Sequence, residues 1–131
     1  MREPQKVVVH FLDGRLLRGY GKFFFRGHDM IRLLDLKRRT VRILLEEVKA
    51  VFFVRRLRGR KDYHEAKRFS SASPKFGRKV EIVFRDGEVI KGRALDYKPE
   101  DRGFYLKPSD PKSNNEMVFV PLTALRRVKV A

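Results

Sequence analysis

The chain has 131 residues, of which 42% are hydrophobic and 37% are charged, and it contains no cysteine. Its 32 Lys and Arg outnumber its 16 Asp and Glu, which gives a formal net charge of +16. This composition excludes a disulfide framework and a thiolate metal site, and it is too apolar for a disordered chain. The positive excess favours a polyanionic partner. With neither a signal-peptide pattern nor a long apolar run, we expect a cytoplasmic protein without a membrane span.

The chain contains an internal repeat. The segment Lys6–Gly19 aligns with Lys79–Gly92 at an offset of 73 residues, and positions 41–53 align with 118–130 at an offset of 77. Self-similarity of this kind indicates two structural units of one type. We therefore predict a first copy at residues 1–54, a basic connector at residues 55–78 and a second copy at residues 79–131.

The first hairpin of each copy has the clearest sequence pattern. Apolar residues alternate with others at period 2, as in a strand with one buried face, and Asp13-Gly14 and Asp86-Gly87 follow as two-residue turn signals. Gly19 and Gly92 lie in the next strand, where glycine indicates a bulge or bend that lets a small sheet curl. The predicted buried residues are Val7, Val9, Phe11, Val80, Ile82 and Phe84.

Three further strands follow in each copy. They are predicted near residues 30–35, 40–45 and 50–55 in the first copy, and near 103–107, 116–120 and 125–130 in the second. Five short antiparallel strands in roughly fifty residues are typical of a small barrel with few exposed edges. The predicted fold is all-β, with two tandem five-stranded SH3-like or Sm-like barrels and a connector that is partly helical over residues 62–68.

The order of features in the first copy resembles the first motif of Sm-like proteins. A long strand with an internal Gly follows the Asp-Gly turn, and His28-Asp29-Met30-Ile31 then leads into Leu33-Leu34. The resemblance implies a small five-stranded barrel of a kind that often binds RNA and forms rings. The Sm pattern has Asn where this chain has Ile31, and Arg-Gly where it has Glu46-Glu47, so the Sm base-binding pocket is not expected here.

The second copy resembles an uncharacterised bacterial domain found beside PilZ and response-regulator modules. The matching segments are Phe84–Glu88, Gly103–Leu106, Asp110–Asn115 and Val118–Val120. The resemblance implies a bacterial regulatory setting and transfers no site residue. Abundant charge with one Gln, two Asn and no Cys is also typical of thermophilic proteins.

The connector holds most of the candidate binding residues. Residues 55–79 contain 10 Lys and Arg against 2 Asp and Glu, half of the net charge, interleaved with Tyr63, Phe69 and Phe76. Such a composition suits phosphate contacts and base stacking. The predicted nucleic-acid-binding residues are Lys22, Arg26, Lys37, Arg38, Arg39, Arg55, Arg56, Arg58, Arg60, Lys61, Lys67, Arg68 and Arg78.

Each of these segments also has a structural interpretation. The connector suits a solvated linker, and Lys37-Arg38-Arg39 at a hairpin tip suits a charge cluster that protects a strand edge. Lys22 and Arg26 flank three Phe residues that suit a core or an interface between the copies. Ser113-Asn114-Asn115 has the turn chemistry of a loop-ordering segment, and a binding role for it stays open.

The sequence contains no catalytic or cofactor motif that we can identify. His10, His28 and His64 lie in separate segments without metal-ligand spacing, and neither a Gly-rich phosphate loop nor a nucleophile elbow occurs. We therefore predict a non-enzymatic protein without metal or cofactor. Arg56 and Arg60 have the RxxxR spacing that PilZ domains use to hold cyclic di-GMP, but the partner motif of those domains is missing.

Two functions from different classes fit these observations. We expect binding of RNA or single-stranded nucleic acid, since no recognition helix for a DNA major groove is predicted. The alternative is a bacterial regulatory module that docks an acidic protein partner. The sequence leaves homo-oligomerisation open.

Overall fold

A computed structural model of the chain describes residues 5–21, 29–58, 69, 77–95 and 102–130. Within these residues each copy has five strands, with a 3₁₀ helix before the fifth. The first copy comprises β1 (Gln5–Phe11), β2 (Leu16–Gly21), β3 (Met30–Asp35), β4 (Thr40–Leu44), a 3₁₀ helix (Leu45–Glu47) and β5 (Val48–Val54). The second comprises β6 (Arg78–Phe84), β7 (Val89–Leu95), β8 (Gly103–Pro108), β9 (Asn115–Pro121), a 3₁₀ helix (Leu122–Ala124) and β10 (Leu125–Val130).

These strands join in one antiparallel sheet with the order β10-β6-β7-β8-β9-β5-β1-β2-β3-β4. In each copy the fifth strand pairs with the first, and the first to fourth strands pair in sequence. The copies meet where β5, the fifth strand of the first copy, pairs with β9, the fourth strand of the second. Among the described strands, β4 and β10 therefore form the two edges of the sheet.

Both Asp-Gly turns close their hairpins in the same way. Gly14 and Gly87 each have a φ of 93°, a left-handed conformation that glycine adopts without steric cost. Asp13 Oδ1 accepts a hydrogen bond from the N–H of Arg15 at 3.0 Å, and Asp86 Oδ1 accepts one from the N–H of Glu88 at 2.9 Å. The aspartates thus fix the turns through local hydrogen bonds.

The glycines of the second strands do not form the predicted bulge. A Cβ on Gly19 would lie 2.1 Å from the backbone oxygen of Leu34, and one on Gly92 would lie 2.3 Å from that of Lys107. The pairings of β2 and β7 have no register shift at these positions. The glycines therefore permit close approach of the third strand instead of forming a bulge.

Two hydrophobic cores lie on opposite faces of β5. Val51 and Phe53 belong to the first core, and Phe52 and Val54 belong to the second, because successive side chains of a strand point to opposite faces. Phe119 of β9 belongs to the first core although it comes from the second copy. Each copy therefore completes the core of the other.

The predicted all-β fold is confirmed, and the strands lie close to the predicted positions. Five of the six predicted core residues are buried, and Phe11 is half-buried. The sequence predicted two separate barrels, whereas the described strands form one continuous sheet, because β5 pairs with β9 across the copies. The predicted helix at 62–68 lies outside the described residues. None of the described segments forms a helix with the length and hydrophobicity needed to span a membrane.

Candidate functional site

A groove with a volume of about 310 Å³ lies at the junction of the two copies. Both copies contribute to it, and its buried apolar residues belong to the second core. The apolar lining residues are Val8, Leu16, Phe52, Val54, Leu57 and Ile90. The polar lining residues are His10, Arg18, Arg58, Glu88, Asn114 and Asn115. We call this feature the junction groove.

The start of the connector is held against the second copy by Asn114. The N–H of Arg56 donates to Asn114 Oδ1 and Asn114 Nδ2 donates to the carbonyl of Arg56, each at 3.0 Å. The N–H of Arg55 donates to the carbonyl of Asn114 at 2.9 Å, and Arg55 Nε donates to the carbonyl of Ser113 at 3.1 Å. These bonds use only the backbone of Arg56, whose side chain is exposed beside the junction groove.

The loop that supplies Asn114 is ordered by its own polar groups. Asp110 Oδ1 accepts from the N–H of Lys112, and Ser113 Oγ accepts from the N–H of Asn115, each at 2.9 Å. Asp110 and Ser113 are both buried. Ser113 has the loop-ordering role predicted for Ser113-Asn114-Asn115. The side chain of Asn114 instead bonds Arg56, so this loop of the second copy fixes the start of the connector.

Arg18 and His10 give the junction groove a cation and an aromatic surface. Arg18 Nε donates to the carbonyl of Leu57 at 3.0 Å. The His10 and Phe52 rings are 4.5 Å apart between centroids and inclined by 58°. Burial, and then the positive charge of Lys49, lowers the pKa of His10. His10 is therefore a neutral ring at neutral pH.

The carboxylate of the junction groove, Glu88, takes part in an ion pair between the copies. Lys49 of β5 pairs with Glu88, and its Nζ lies 2.7 Å from Asp86 Oδ2 and 4.8 Å from the centroid of the Phe84 ring. Burial opposes the charge of Lys49, but hydrogen bonds to Asp86 and Glu88 outweigh it and raise the pKa of Lys49. Among the described residues that line the junction groove, Arg18 and Arg58 are positive and Glu88 is negative.

The structure places Lys37, Arg38 and Arg39 in the turn between β3 and β4, as predicted. Asp35 Oδ1 accepts from the N–H groups of Lys37 and Arg39, and Arg39 Nε lies 2.9 Å from Asp35 Oδ2. Arg38 has a φ of 65°, and its guanidinium lies 4.9 Å from the centroid of the Tyr20 ring. In the sheet order β1 and β2 lie between this turn and β5.

Sequence reasoning missed a pair of arginines on the same hairpin. Arg32 and Arg42 are direct cross-strand partners on β3 and β4, and both are exposed. No ion pair joins either of them to a carboxylate within the described part of the chain. The sequence contains the information that pairs them, because a turn at residues 36–39 sets the strand register in which these arginines are neighbours.

The second copy has a smaller basic surface at the start of β6. Arg78, one of the predicted nucleic-acid-binding residues, is exposed, and Lys79 Nζ lies 4.9 Å from the centroid of the Phe69 ring. The Arg93 guanidinium lies 5.8 Å from the same ring and donates to the carbonyl of Gly77 at 2.8 Å. Phe69, an aromatic residue of the connector, is therefore already in contact with cations of the protein itself.

The remaining predicted residues lie outside the described part of the chain. They are Lys22, Arg26, Arg60, Lys61, Lys67 and Arg68. Of the others, Arg58 lines the junction groove, and Arg55 and Arg56 are bonded to its lining residue Asn114. Across the described ranges, no three His, Asp or Glu side chains come together in a way that could hold a metal ion.

The fold and the junction groove define a small all-β protein made of two repeated five-stranded units, with an arginine-rimmed site between them. The chain belongs to a family of unknown function, DUF6982, which it matches over residues 3–131. No curated protein and no solved structure matches it.

Proposed function

We propose that this protein is a non-enzymatic binding protein whose ligand is RNA or single-stranded nucleic acid, held at the junction groove and the adjoining connector. The observation that carries the proposal is the position of Arg18 and Arg58 at an apolar groove, next to the exposed Arg55 and Arg56. We further propose that each copy curls into a barrel-like unit of the SH3-like or Sm-like type, with the ligand between the two.

The chemistry of the junction groove suits a single strand. Arginine side chains make bidentate contacts with phosphate, while bases need an apolar or aromatic surface on which to stack. The neutral His10 ring, in contact with Phe52, offers such a surface beside the guanidinium of Arg18. A duplex hides its base faces within the stack, so the junction groove favours an unpaired strand.

The β3–β4 hairpin supports the same ligand class. Like charges directly opposite each other in a sheet are destabilising, and the Arg32 and Arg42 pair has this arrangement. An anion that bridges the two guanidinium groups would remove the repulsion. We therefore propose that the hairpin, with Lys37 and Arg38 at its tip, contacts further phosphates of a bound strand.

The first experiment removes the two cations of the junction groove. We expect Arg18→Gln with Arg58→Gln to weaken binding of fluorescein-labelled oligo(U) and oligo(dT) by about tenfold or more, measured by fluorescence anisotropy. The control, Arg85→Gln with Lys107→Gln, removes the same charge from the second copy. It should change the affinity by less than about threefold. Equal losses in the two variants would show that binding is diffuse and overturn the assignment to the junction groove.

The second experiment tests the ligand class. If about six phosphate contacts form, the affinity should fall by roughly a thousandfold between 50 and 200 mM salt. Purified protein should also carry absorbance at 260 nm that nuclease treatment removes. Protein that purifies without nucleic acid and binds neither oligonucleotide at 50 mM salt would rule out the proposed function.

A further inference from the structure

The edge strand β10 carries two exposed apolar residues beside the second core. Val128 and Val130 pair with the buried Ile82 and Val80, and their exposed fractions are 42% and 56%. The repeat aligns them with Val51 and Phe53 of β5, whose exposed fractions are 0% and 2%. Equivalent positions of the repeat are thus buried in the first copy and exposed in the second.

In the first copy, a strand of the second copy covers these positions. β9 pairs with β5 so that Phe119 lies opposite Val51 and Met117 lies opposite Phe53. Both residues pack into or against the first core. Within the described part of the chain, no strand pairs with the outer side of β10. Among the described residues, Val128 and Val130 therefore lack the neighbours that Phe119 and Met117 provide to Val51 and Phe53.

The other face of β10 is basic. Arg127 and Lys129 are exposed on the face opposite Val128 and Val130, and Arg126 is exposed at the start of the strand. Lys129 lies opposite Glu81 of β6, and Lys91 of β7 lies on the other side of Glu81. A strand added to β10 would thus meet apolar side chains on one face and positive side chains on the other.

A second copy of this chain is a poor occupant. Its open edges are β4 and β10, and in β4 the repeat aligns Arg42 with Phe119 and Thr40 with Met117. Pairing in the register of β5 and β9 would place Arg42 over Val128 and bury a guanidinium against apolar side chains, which costs free energy. In a pairing of β10 with the β10 of a second copy, the exposed Arg126, Arg127 and Lys129 of the two strands would repel each other. Charged residues of this kind protect an edge strand from self-pairing.

We propose that β10 binds an extended acidic segment of another protein by strand addition. The segment supplies apolar residues at alternate positions, which cover Val128 and Val130 as Phe119 and Met117 cover Val51 and Phe53. Its intervening residues are Asp or Glu, which face Arg127 and Lys129. Backbone hydrogen bonds supply affinity and the alternating side chains supply specificity, as in other β-augmented complexes.

The probe is a labelled peptide based on β9, with sequence Asn-Glu-Met-Glu-Phe-Glu-Pro. In the register of the junction its Phe lies opposite Val128, its Met opposite Val130 and the Glu between them opposite Lys129. We expect it to bind at least about tenfold more tightly than Asn-Glu-Ser-Glu-Ser-Glu-Pro, which has the same charge. We also expect the amide NMR shifts it causes to be largest at residues 125–130.

Two matched variants test the two faces of β10. Val128→Thr with Val130→Thr keeps β-propensity and should weaken peptide binding by about tenfold. Met30→Thr with Leu44→Thr makes the same change at exposed apolar residues near the β4 edge and should leave binding unchanged. Lys129→Gln should weaken binding at 50 mM salt more than at 500 mM. Thermal melting of each variant shows whether it is folded.

Three results would overturn the proposal. They are equal binding of the two peptides, peptide-induced shifts centred on the junction groove or the β3–β4 hairpin, and shifts at residues 125–130 caused by oligo(U) but not by the peptide. Concentration-dependent dimers that Val128→Thr with Val130→Thr abolishes would assign the edge to a second copy instead. Arg18→Gln with Arg58→Gln should retain peptide binding, so failure here is distinct from failure of the proposed nucleic-acid function.

Discussion

The two copies share one strand order, but the face of their first and fifth strands that points away from their own core carries different side chains. In the first copy this face carries Val8 and Phe52, and the second copy covers it. The repeat aligns these residues with Glu81 and Lys129, which lie on a half-buried to exposed face. A tandem repeat can therefore be joined by changing a few side chains on one face while the strands stay the same.

The fourth strands differ in the same sense. Phe119 of β9 enters the core of its neighbour, whereas Arg42, its counterpart in β4, is exposed. Tyr105 lies beside Phe119 with ring centroids 5.2 Å apart, and its counterpart is Arg32. The cross-strand pair at the junction, Tyr105 with Phe119, is thus aromatic, whereas its counterpart, Arg32 with Arg42, is charged. This difference follows their burial, because charged side chains are rarely buried.

The largest effect we expect comes from truncating the two fourth-strand counterparts. Phe119→Ala should lower the free energy of unfolding by roughly 3–4 kcal/mol, because it leaves a cavity in the first core. Arg42→Ala, at the equivalent exposed position, should change it by under about 0.5 kcal/mol. Urea denaturation measures both. Similar losses in the two variants would mean that the junction contributes little to stability.

The hairpins of each copy were predictable because their information is local. Period-2 alternation and the Asp-Gly turns placed β1, β2, β6 and β7, and the turn at residues 36–39 placed the tip of the β3–β4 hairpin. Only the sequence around each turn is needed to set such a register. The prediction that Arg55, Arg56 and Arg58 bind a ligand rests on a similar local signal, since these residues form a run of charge.

The junction was not predictable because it depends on contacts between distant residues. Alternation placed Val8 and Phe52 on the face opposite the first core, and no local pattern indicated a second core there. The bonds between Asn114 and Arg56 join residues 58 positions apart. The repeat itself obscured the pairing of β5 with β9, because each copy seemed able to close on its own.

The ion pair between the copies should have a smaller and pH-dependent effect. Lys49→Gln should cost about 1 kcal/mol at pH 7, since it removes the partner of Asp86 and Glu88. Arg126→Gln, at the equivalent position of β10, is the matched control. Its guanidinium bonds only a backbone carbonyl among the described residues, so a smaller change is expected in thermal melting.

The sign of the pH dependence follows from both partners. The hydrogen bond from Lys49 and the N–H of Glu88 lower the pKa of Asp86, so its contribution is lost as pH falls through that lowered pKa. The pKa of Lys49 is raised, so its contribution is lost as pH rises through the raised pKa. The difference in stability between parent and Lys49→Gln should be constant from about pH 5 to 9 and shrink outside that window. A difference that grew at low pH would contradict the pairing.

The smallest effect concerns His10, whose counterpart in the second copy is Val83. Burial first, and Lys49 second, lower the pKa of His10, so the unfolded chain takes up a proton more readily than the folded one. The free energy of unfolding should therefore decline as pH falls through the ordinary histidine range. His10→Val places at residue 10 the amino acid that the second copy has, and it should remove this component of the decline between pH 7 and 5. Melting temperatures across that range measure the difference.

The stacking role proposed for the neutral ring of His10 adds a second readout. Lowering the pH from 7 to 5 protonates His10 in the parent but not in His10→Val. If His10 contacts a base and not a phosphate, the rise in oligo(U) affinity over this pH interval should be no larger in the parent than in His10→Val. A larger rise in the parent would mean that His10 acts as a cation toward phosphate, and the aromatic surface of the junction groove would then reduce to Phe52 alone.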